Sequence, residues 1–196
     1  MRKCILFIGC LTCLLSAVGQ TNNSGRFKKE NIYVGGAVNL GFGTGVFQVG
    51  GNPEIGYSVA SFLDAGIVTN LNYTSISADY NNGFQQRSFN YGAGLYARLY
   101  PINFLFAQVN AETNRINLTI KDDFNGGTFK EQFNSNSILA GVGYGSRVIG
   151  RSGFYTAILF DLTKNPNSPY VDSRGSSIPI IRAGFTIYLR PGKPKN

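Results

Sequence analysis

From residue 31 onward the chain alternates. Ile32, Val34, Gly36, Val38, Leu40 and Phe42 share one parity, with Tyr33, Gly35, Ala37, Asn39 and Gly41 between them. A period of two sends successive side chains to opposite faces of an extended strand. The pattern recurs over 47–59, 65–73, 89–99, 105–112, 138–145, 155–162 and 181–189. Eight strands are predicted, several longer than the usual five or six residues. Helical spacing of apolar positions is missing, and beyond residue 20 no apolar run is long enough to cross a membrane as a helix.

The second face of each strand decides the class. A soluble sandwich turns Lys, Glu, Thr and Arg toward water. Here the less apolar parity holds Gly, Asn, Ser and Tyr with a few isolated charges, as in Asn90, Gly92, Gly94, Tyr96 and Arg98. Small residues suit a crowded interior where eight strands close on themselves. The other parity, Val, Leu, Ile, Ala, Phe and Tyr, then faces lipid, where every backbone donor must be paired and the sheet must close. The expected fold is all-β: an eight-stranded antiparallel up-and-down transmembrane β-barrel.

Connection lengths follow the same logic. Short links at 60–63, 101–103 and 149–152 alternate with longer polar ones at 77–88, 115–135 and 164–177, while 43–45 is short. Short turns at one end and long loops at the other fit an outer-membrane barrel with both termini in the periplasm. Tyr57, Phe62, Tyr100, Phe104, Phe154 and Tyr188, near strand ends, are the expected aromatic girdles. Pro53 lacks a ladder donor, so a bulge or a membrane-boundary position is expected there.

Residues 1–19 read as a cleaved secretory signal peptide. Met1-Arg2-Lys3 is cationic, the next fifteen residues are largely apolar, and Ala17-Val18-Gly19 offers a small-x-small cleavage site. Cys4, Cys10 and Cys13 all lie within it, so the mature chain carries no thiol for disulfides, metals or nucleophilic catalysis. The expected organisation is a periplasmic N-terminal segment at 20–30, the barrel at 31–190 and a periplasmic tail at 191–196.

Two stretches carry a family resemblance. Asn52-Pro53-Glu54-Ile55-Gly56-Tyr57 resembles the second strand, and Tyr91-Gly92-Ala93-Gly94-Leu95-Tyr96-Ala97-Arg98-Leu99-Tyr100-Pro101 the fourth strand and turn, of the small OmpA/OmpX-like outer-membrane β-barrels of Gram-negative bacteria. The resemblance implies residence in outer-membrane lipid and insertion by the outer-membrane assembly machinery, which reads the last strand. The chain departs from that pattern by continuing past Leu189 through Arg190-Pro191-Gly192-Lys193-Pro194-Lys195-Asn196 instead of ending on an aromatic residue.

There is no histidine anywhere in the 196 residues. Ser-His and Cys-His catalysis and His-metal sites are thereby excluded, and the enzymatic barrels that the resemblance would suggest all use a histidine. The expected role is non-enzymatic, with no cofactor and no metal. Glu54, Arg98, Glu112, Asp161 and Arg182 fall on the inward parity as a polar lumen network. Counted from the short-turn end, Asp161 and Arg182 come to similar heights on adjacent strands and are expected to pair, since a lone buried charge is costly. Lys121-Asp122-Asp123-Phe124-Asn125-Gly126-Gly127 resembles a calcium loop, but Lys121 and Gln132 would occupy its first and last ligand positions, so a turn at a loop tip is expected. Asn72-Tyr73-Thr74 and Asn117-Leu118-Thr119 match glycosylation acceptors only by pattern. Gly35-Gly36 and Gly41-x-Gly43 lie inside strands and are not phosphate loops.

Charge refines the picture. Eighteen basic against ten acidic residues give +8, but much of this lies in the leader and the two flanking segments. Residues 31–189 hold ten Lys and Arg and nine Asp and Glu, close to neutrality. This is no footprint for nucleic acid. Two functions fit: an integral outer-membrane barrel with a structural or interaction role through its outer loops (envelope integrity, adhesion or partner docking), or a secreted lipocalin-like barrel holding a small apolar ligand. An accessory component of an envelope or secretion complex would use the first architecture.

Overall fold

The computed structural model describes residues 28–122, 124, 126–171 and 176–190. The expected signal peptide at 1–19, most of the expected N-terminal segment at 20–30 and the 191–196 tail lie outside the described residues.

Eight strands follow one another: β1 (Ile32–Gly43), β2 (Val46–Ala60), β3 (Leu63–Ile76), β4 (Phe84–Ile102), β5 (Leu105–Asp122), β6 (Thr128–Gly145), β7 (Gly153–Asp161) and β8 (Ile180–Tyr188). Each pairs antiparallel with the next, and β8 returns to β1 from Tyr33↔Tyr188 to Leu40↔Ile181. The ring is a closed up-and-down barrel, as the alternation predicts. Closure pairs the backbone groups that an open sheet would leave at its edges.

Strand lengths differ from expectation in one sector. The stretches 84–88, 115–122 and 128–135, expected as loop, are ladder: β4 and β5 pair without a break from Phe84↔Asp122 to Leu99↔Ala107, and β5 and β6 from Leu105↔Tyr144 to Lys121↔Thr128. Only the β5–β6 tip turns, where the Gly126 N–H reaches the Asp122 carbonyl at 2.9 Å with Gly126 at φ 71°. In contrast β7 and β8 have nine residues each. The β4–β6 sheet therefore rises beyond the rest of the ring, at the end away from the termini.

The apolar parity faces outward over the lower barrel: Val38, Ile55, Ile67, Leu95, Val109, Val142, Ile158 and Ile187 are all exposed. Cross-strand registers connect these positions into rows. One row, Val34–Ile55–Ile67–Leu95–Ala111–Ile138, is apolar throughout. Three rows higher, Leu40–Val49–Tyr73–Phe89 ends in Asn117–Gln132. Because barrel strands tilt, a row perpendicular to them climbs around the wall, so each row leaves the apolar band at a different strand. Above that line the faces exchange roles: Ile116 is buried inward and Leu118, Ile120 and Phe133 are half-buried, while Arg115, Lys121, Lys130 and Asn134 face out. This inversion explains why a polar composition read as loop.

Three further expectations are corrected. Tyr100 and Tyr188 are not girdle residues but point inward: Tyr100 stacks on Phe106 at 5.3 Å and Tyr188 on Tyr33 at 5.3 Å. Phe62, Phe104 and Phe154 do face out. Pro53 sits at the middle of β2 rather than at a boundary, and the β2–β3 ladder skips there without a register shift, resuming at Glu54↔Val68. The exposed Pro53 ring keeps its place in the outer wall, and its carbonyl accepts from Thr69 Oγ1 at 3.3 Å. Close packing inside is set by glycine at two positions in particular. A Cβ on Gly143 would lie 2.2 Å from the Phe106 ring, and one on Gly56 2.2 Å from that of Tyr33.

Candidate functional site

The site is the barrel interior with its two closures. Alternation delivers Glu54, Arg98, Glu112, Asp161 and Arg182 inward from five different strands, and all five are buried. The structure does not pair Asp161 with Arg182. Arg182 stands opposite Ala157, four residues below Asp161, and its guanidinium spans the lumen to Glu112 Oε1 at 3.2 Å. Counting residues from the turns ignored the stagger between tilted strands, and a long side chain finds its partner across the lumen.

Arg98 is the most fully engaged group. It makes a two-pronged contact with Glu54, Nη1 to Oε1 at 2.9 Å and Nη2 to Oε2 at 2.7 Å, while Nε donates to Gln108 Oε1 at 2.8 Å. The ring faces of Tyr155 and Tyr96 lie 4.2 and 4.7 Å from its central carbon. Such a planar, forked, ring-flanked arrangement is specific to arginine. From Gln108 a chain of donors runs through Asn110 (2.8 Å) to Glu112 Oε1 (2.9 Å). Glu112 Oε2 accepts from Asn70 at 2.9 Å and from the Tyr170 hydroxyl at 3.0 Å. Two carboxylates, two guanidinium groups and a set of carboxamides thus form one connected network, which is what makes buried charge tolerable.

Asp161 has a different task. Its carboxylate accepts from Thr163 N at 2.9 Å, from Thr163 Oγ1 and from Ser168 Oγ, while its own backbone N–H donates to Ser177 Oγ at 2.7 Å. It anchors the β7–β8 connection, and that connection carries Tyr170 down onto the network as a stopper, fully buried. Burial, and next the negative charge of Glu112, hold the Tyr170 hydroxyl well above its ordinary pKa, so it remains a donor.

At the opposite end the β6–β7 connection folds beneath the barrel. Arg147 Nη2 and Nε contact Asp64 at 2.6 and 3.1 Å, Nη2 donates to the Ala60 carbonyl at 3.0 Å and Nη1 to that of Ser61. Its guanidinium also covers the Tyr100 ring at 4.4 Å. Burial works against this charge, but the hydrogen bond and charge of Asp64 outweigh it and raise the arginine above its ordinary value. The space left beside the latch is about 10 Å³, room for one water. Sequence reasoning missed Asp64 and Arg147. The signal was available for Asp64, since the even parity of β3 extends one inward position, two residues, below Gly66. Arg147 lies in a turn where alternation has nothing to say.

Among the described residues, no group of three or more His, Cys, Asp or Glu side chains could hold a metal. No protein-family model and no curated sequence matches the chain. Solved structures of similar shape include Ail, the attachment invasion locus protein of Yersinia pestis, at 10% identity over 80% of this chain and 96% of that one, TM-score 0.45. Neisserial surface protein A matches at 12% identity over 81% and 96%, TM-score 0.41. A major outer membrane protein from Thermus thermophilus matches at 13% identity over 80% and 98%, TM-score 0.46. The fold assignment rests on the closed strand ring itself.

Proposed function

We propose that this protein is an integral outer-membrane barrel, sealed at both ends, that serves as a docking element through the sheet it raises above the membrane. The observation that carries this reading is the exchange of faces along β4–β6. A barrel wholly in water would keep apolar side chains inside along its entire length. A barrel crossing lipid turns them outward over the band and returns them inward where water begins. On β4 the outward apolar set spans 89–99, about the 9–11 residues a tilted spanning strand needs. The same observation argues against a lipocalin-like carrier, since the lumen holds a paired polar network rather than an apolar cavity.

The raised sheet supplies the docking edge. β6 pairs with β7 only between Leu139↔Asp161 and Gly145↔Tyr155. Among the described residues no strand pairs with 128–137 on that side. The Leu162 N–H reaches the Ile138 carbonyl at 2.8 Å, so even-numbered residues aim their backbone groups outward along this edge: Lys130, Gln132, Asn134 and Asn136. An extended segment of a partner can add here as a further strand.

Two measurements test the reading. In outer-membrane fractions the folded protein should migrate faster than the boiled one in detergent gels; recovery in the soluble periplasm without that shift would overturn the barrel assignment. Asn134→Pro removes an edge donor without touching the β5 ladder. It should abolish capture of an extended-peptide library while leaving the gel shift intact, and unchanged capture would overturn edge docking.

A further inference from the structure

Near-neutrality of the barrel sequence conceals a local concentration of charge. Above the apolar band, the outward wall of β4–β6 bears Arg87, Arg115, Lys121 and Lys130, all exposed. No acidic side chain of these three strands shares the face, because Glu112, Asp122 and Glu131 have the opposite parity. Register places Arg87 and Lys130 on either side of Thr119, and Arg115 next to Asn134. Arg87 and Lys130 therefore stand two strands apart, about 10 Å between backbones. Among the described residues neither has an ion-pair partner. Arg115 donates to Gln132 at 2.8 Å, its one side-chain hydrogen bond among the described residues.

An independent feature lies directly below. Thr69, Ala93 and Thr113 occupy one cross-strand row, beneath the larger Leu71 and Tyr91 in the next row up. The result is an open groove in the outer wall, bounded at its upper end by Arg115 and Asn134. Its floor is small and mostly apolar, and it opens onto the band that faces lipid. We propose that this wall binds a membrane lipid with a multiply phosphorylated head: Arg115, Arg87 and Lys130 meet the phosphates, and the groove receives one acyl chain. Cations at the head and a slot for the tail on the same outward face suit an amphiphile already in the bilayer. A soluble polyanion would use the cations and ignore the groove. The proposal rests on the membrane reading above.

The test uses the full mature chain folded in zwitterionic micelles, with native mass spectrometry of bound lipid. The probes are lipid A (a bisphosphorylated, multiply acylated glycolipid), phosphatidylcholine and, as a soluble polyphosphate, inositol hexakisphosphate. The wild type should retain lipid A selectively. Arg87→Gln, Arg115→Gln and Lys130→Gln should each weaken retention by roughly fivefold. Ala93→Phe, which fills the groove from the lipid-facing side, should weaken it with every cation in place. Heat-dependent gel migration and protease protection in phosphatidylcholine vesicles establish that each variant is a folded, inserted barrel. If the wild type fails that control, the membrane reading falls and this proposal with it. If it inserts but shows no preference for lipid A, if inositol hexakisphosphate displaces lipid A at equal concentration, or if Ala93→Phe retains it fully, the lipid site alone is overturned.

Discussion

The lower barrel and the raised β4–β6 sheet share one uninterrupted hydrogen-bond ladder and assign their faces in opposite ways. Below, Leu95 and Val109 face out and Arg98 and Asn110 face in; above, Arg115 and Lys130 face out and Ile116 faces in. Nothing in the ladder marks the change, since the β4–β5 register runs straight through it. The surrounding medium sets the faces and the backbone only sets their alternation. The two interiors differ accordingly. The lower one is held by directional polar contacts across the lumen, whereas the upper one is a small apolar patch around Ile116.

The contrast is tested most severely at Arg98. Arg98→Leu strands the Glu54 carboxylate in the lumen and removes the partner of Gln108. Breaking a buried pair on one side costs about 3–5 kcal/mol, read as urea-induced unfolding of the protein folded into vesicles. The double variant Arg98→Leu with Glu54→Leu should recover much of that loss, because neither charge is left alone. If the double variant were as unstable as the sum of the singles, the network would not be coupled as its geometry implies.

A single substitution repeated on both regions addresses the exchange of faces. Leu95→Lys puts a cation on the outer wall within the band and should cost about 2–4 kcal/mol in a bilayer. Ile116→Lys puts one on the inner face of the raised sheet, next to Phe133, and should cost about 2 kcal/mol by burying an unpaired charge. Only the first cost should depend on lipid thickness. Equal dependence at both positions would mean that the band extends above the height where the faces exchange.

These two regions also differ in how much the chain discloses. The eight lower strands follow from alternation alone, as do the inward positions of Glu54, Arg98, Glu112, Asp161 and Arg182. The raised sheet does not, because Asn, Gln, Lys and Arg on the outward parity resemble loop composition, and Ile116, Leu118 and Ile120 were too few to outweigh it. Tyr100 and Tyr188 were legible from parity and were misread from their closeness to strand ends. Pairing within the lumen was beyond reach: it depends on strand stagger and on reach across the ring, which put Arg182 with Glu112 and left Asp161 to hold a loop. Charge balance misled in a further way, since ten cations against nine anions over 31–189 says nothing of four cations on one wall.

Closure at the terminal end gives a smaller effect. Arg147→Gln removes the charge from the latch but can keep a contact with Asp64 or a turn carbonyl. It should cost about 1–2 kcal/mol, in the range of a lost charged hydrogen bond. The same variant should admit water beneath Tyr100, read as faster hydrogen exchange of the β6–β7 connection with β4–β6 unchanged. Exchange that accelerated equally in the raised sheet would mean the two regions open together rather than separately.

The smallest effect is the sharpest control. Asn134→Lys makes the Leu95 substitution's change of charge on the outward wall of β6, one row above the Thr113–Asn136 pair. Asn134 is exposed and stands on the free edge, so the ammonium stays in water or among headgroups. The only penalty is repulsion from Arg115 across the strand pair, a few tenths of a kcal/mol. Stability should shift by less than about 0.5 kcal/mol, by the same urea measurement in vesicles. A cost near that of Leu95→Lys would place Asn134 within hydrocarbon, and the sheet could not then stand above the membrane. A small cost there beside a large one at Leu95 fixes the boundary between two residues two strands apart, at the height where the faces exchange.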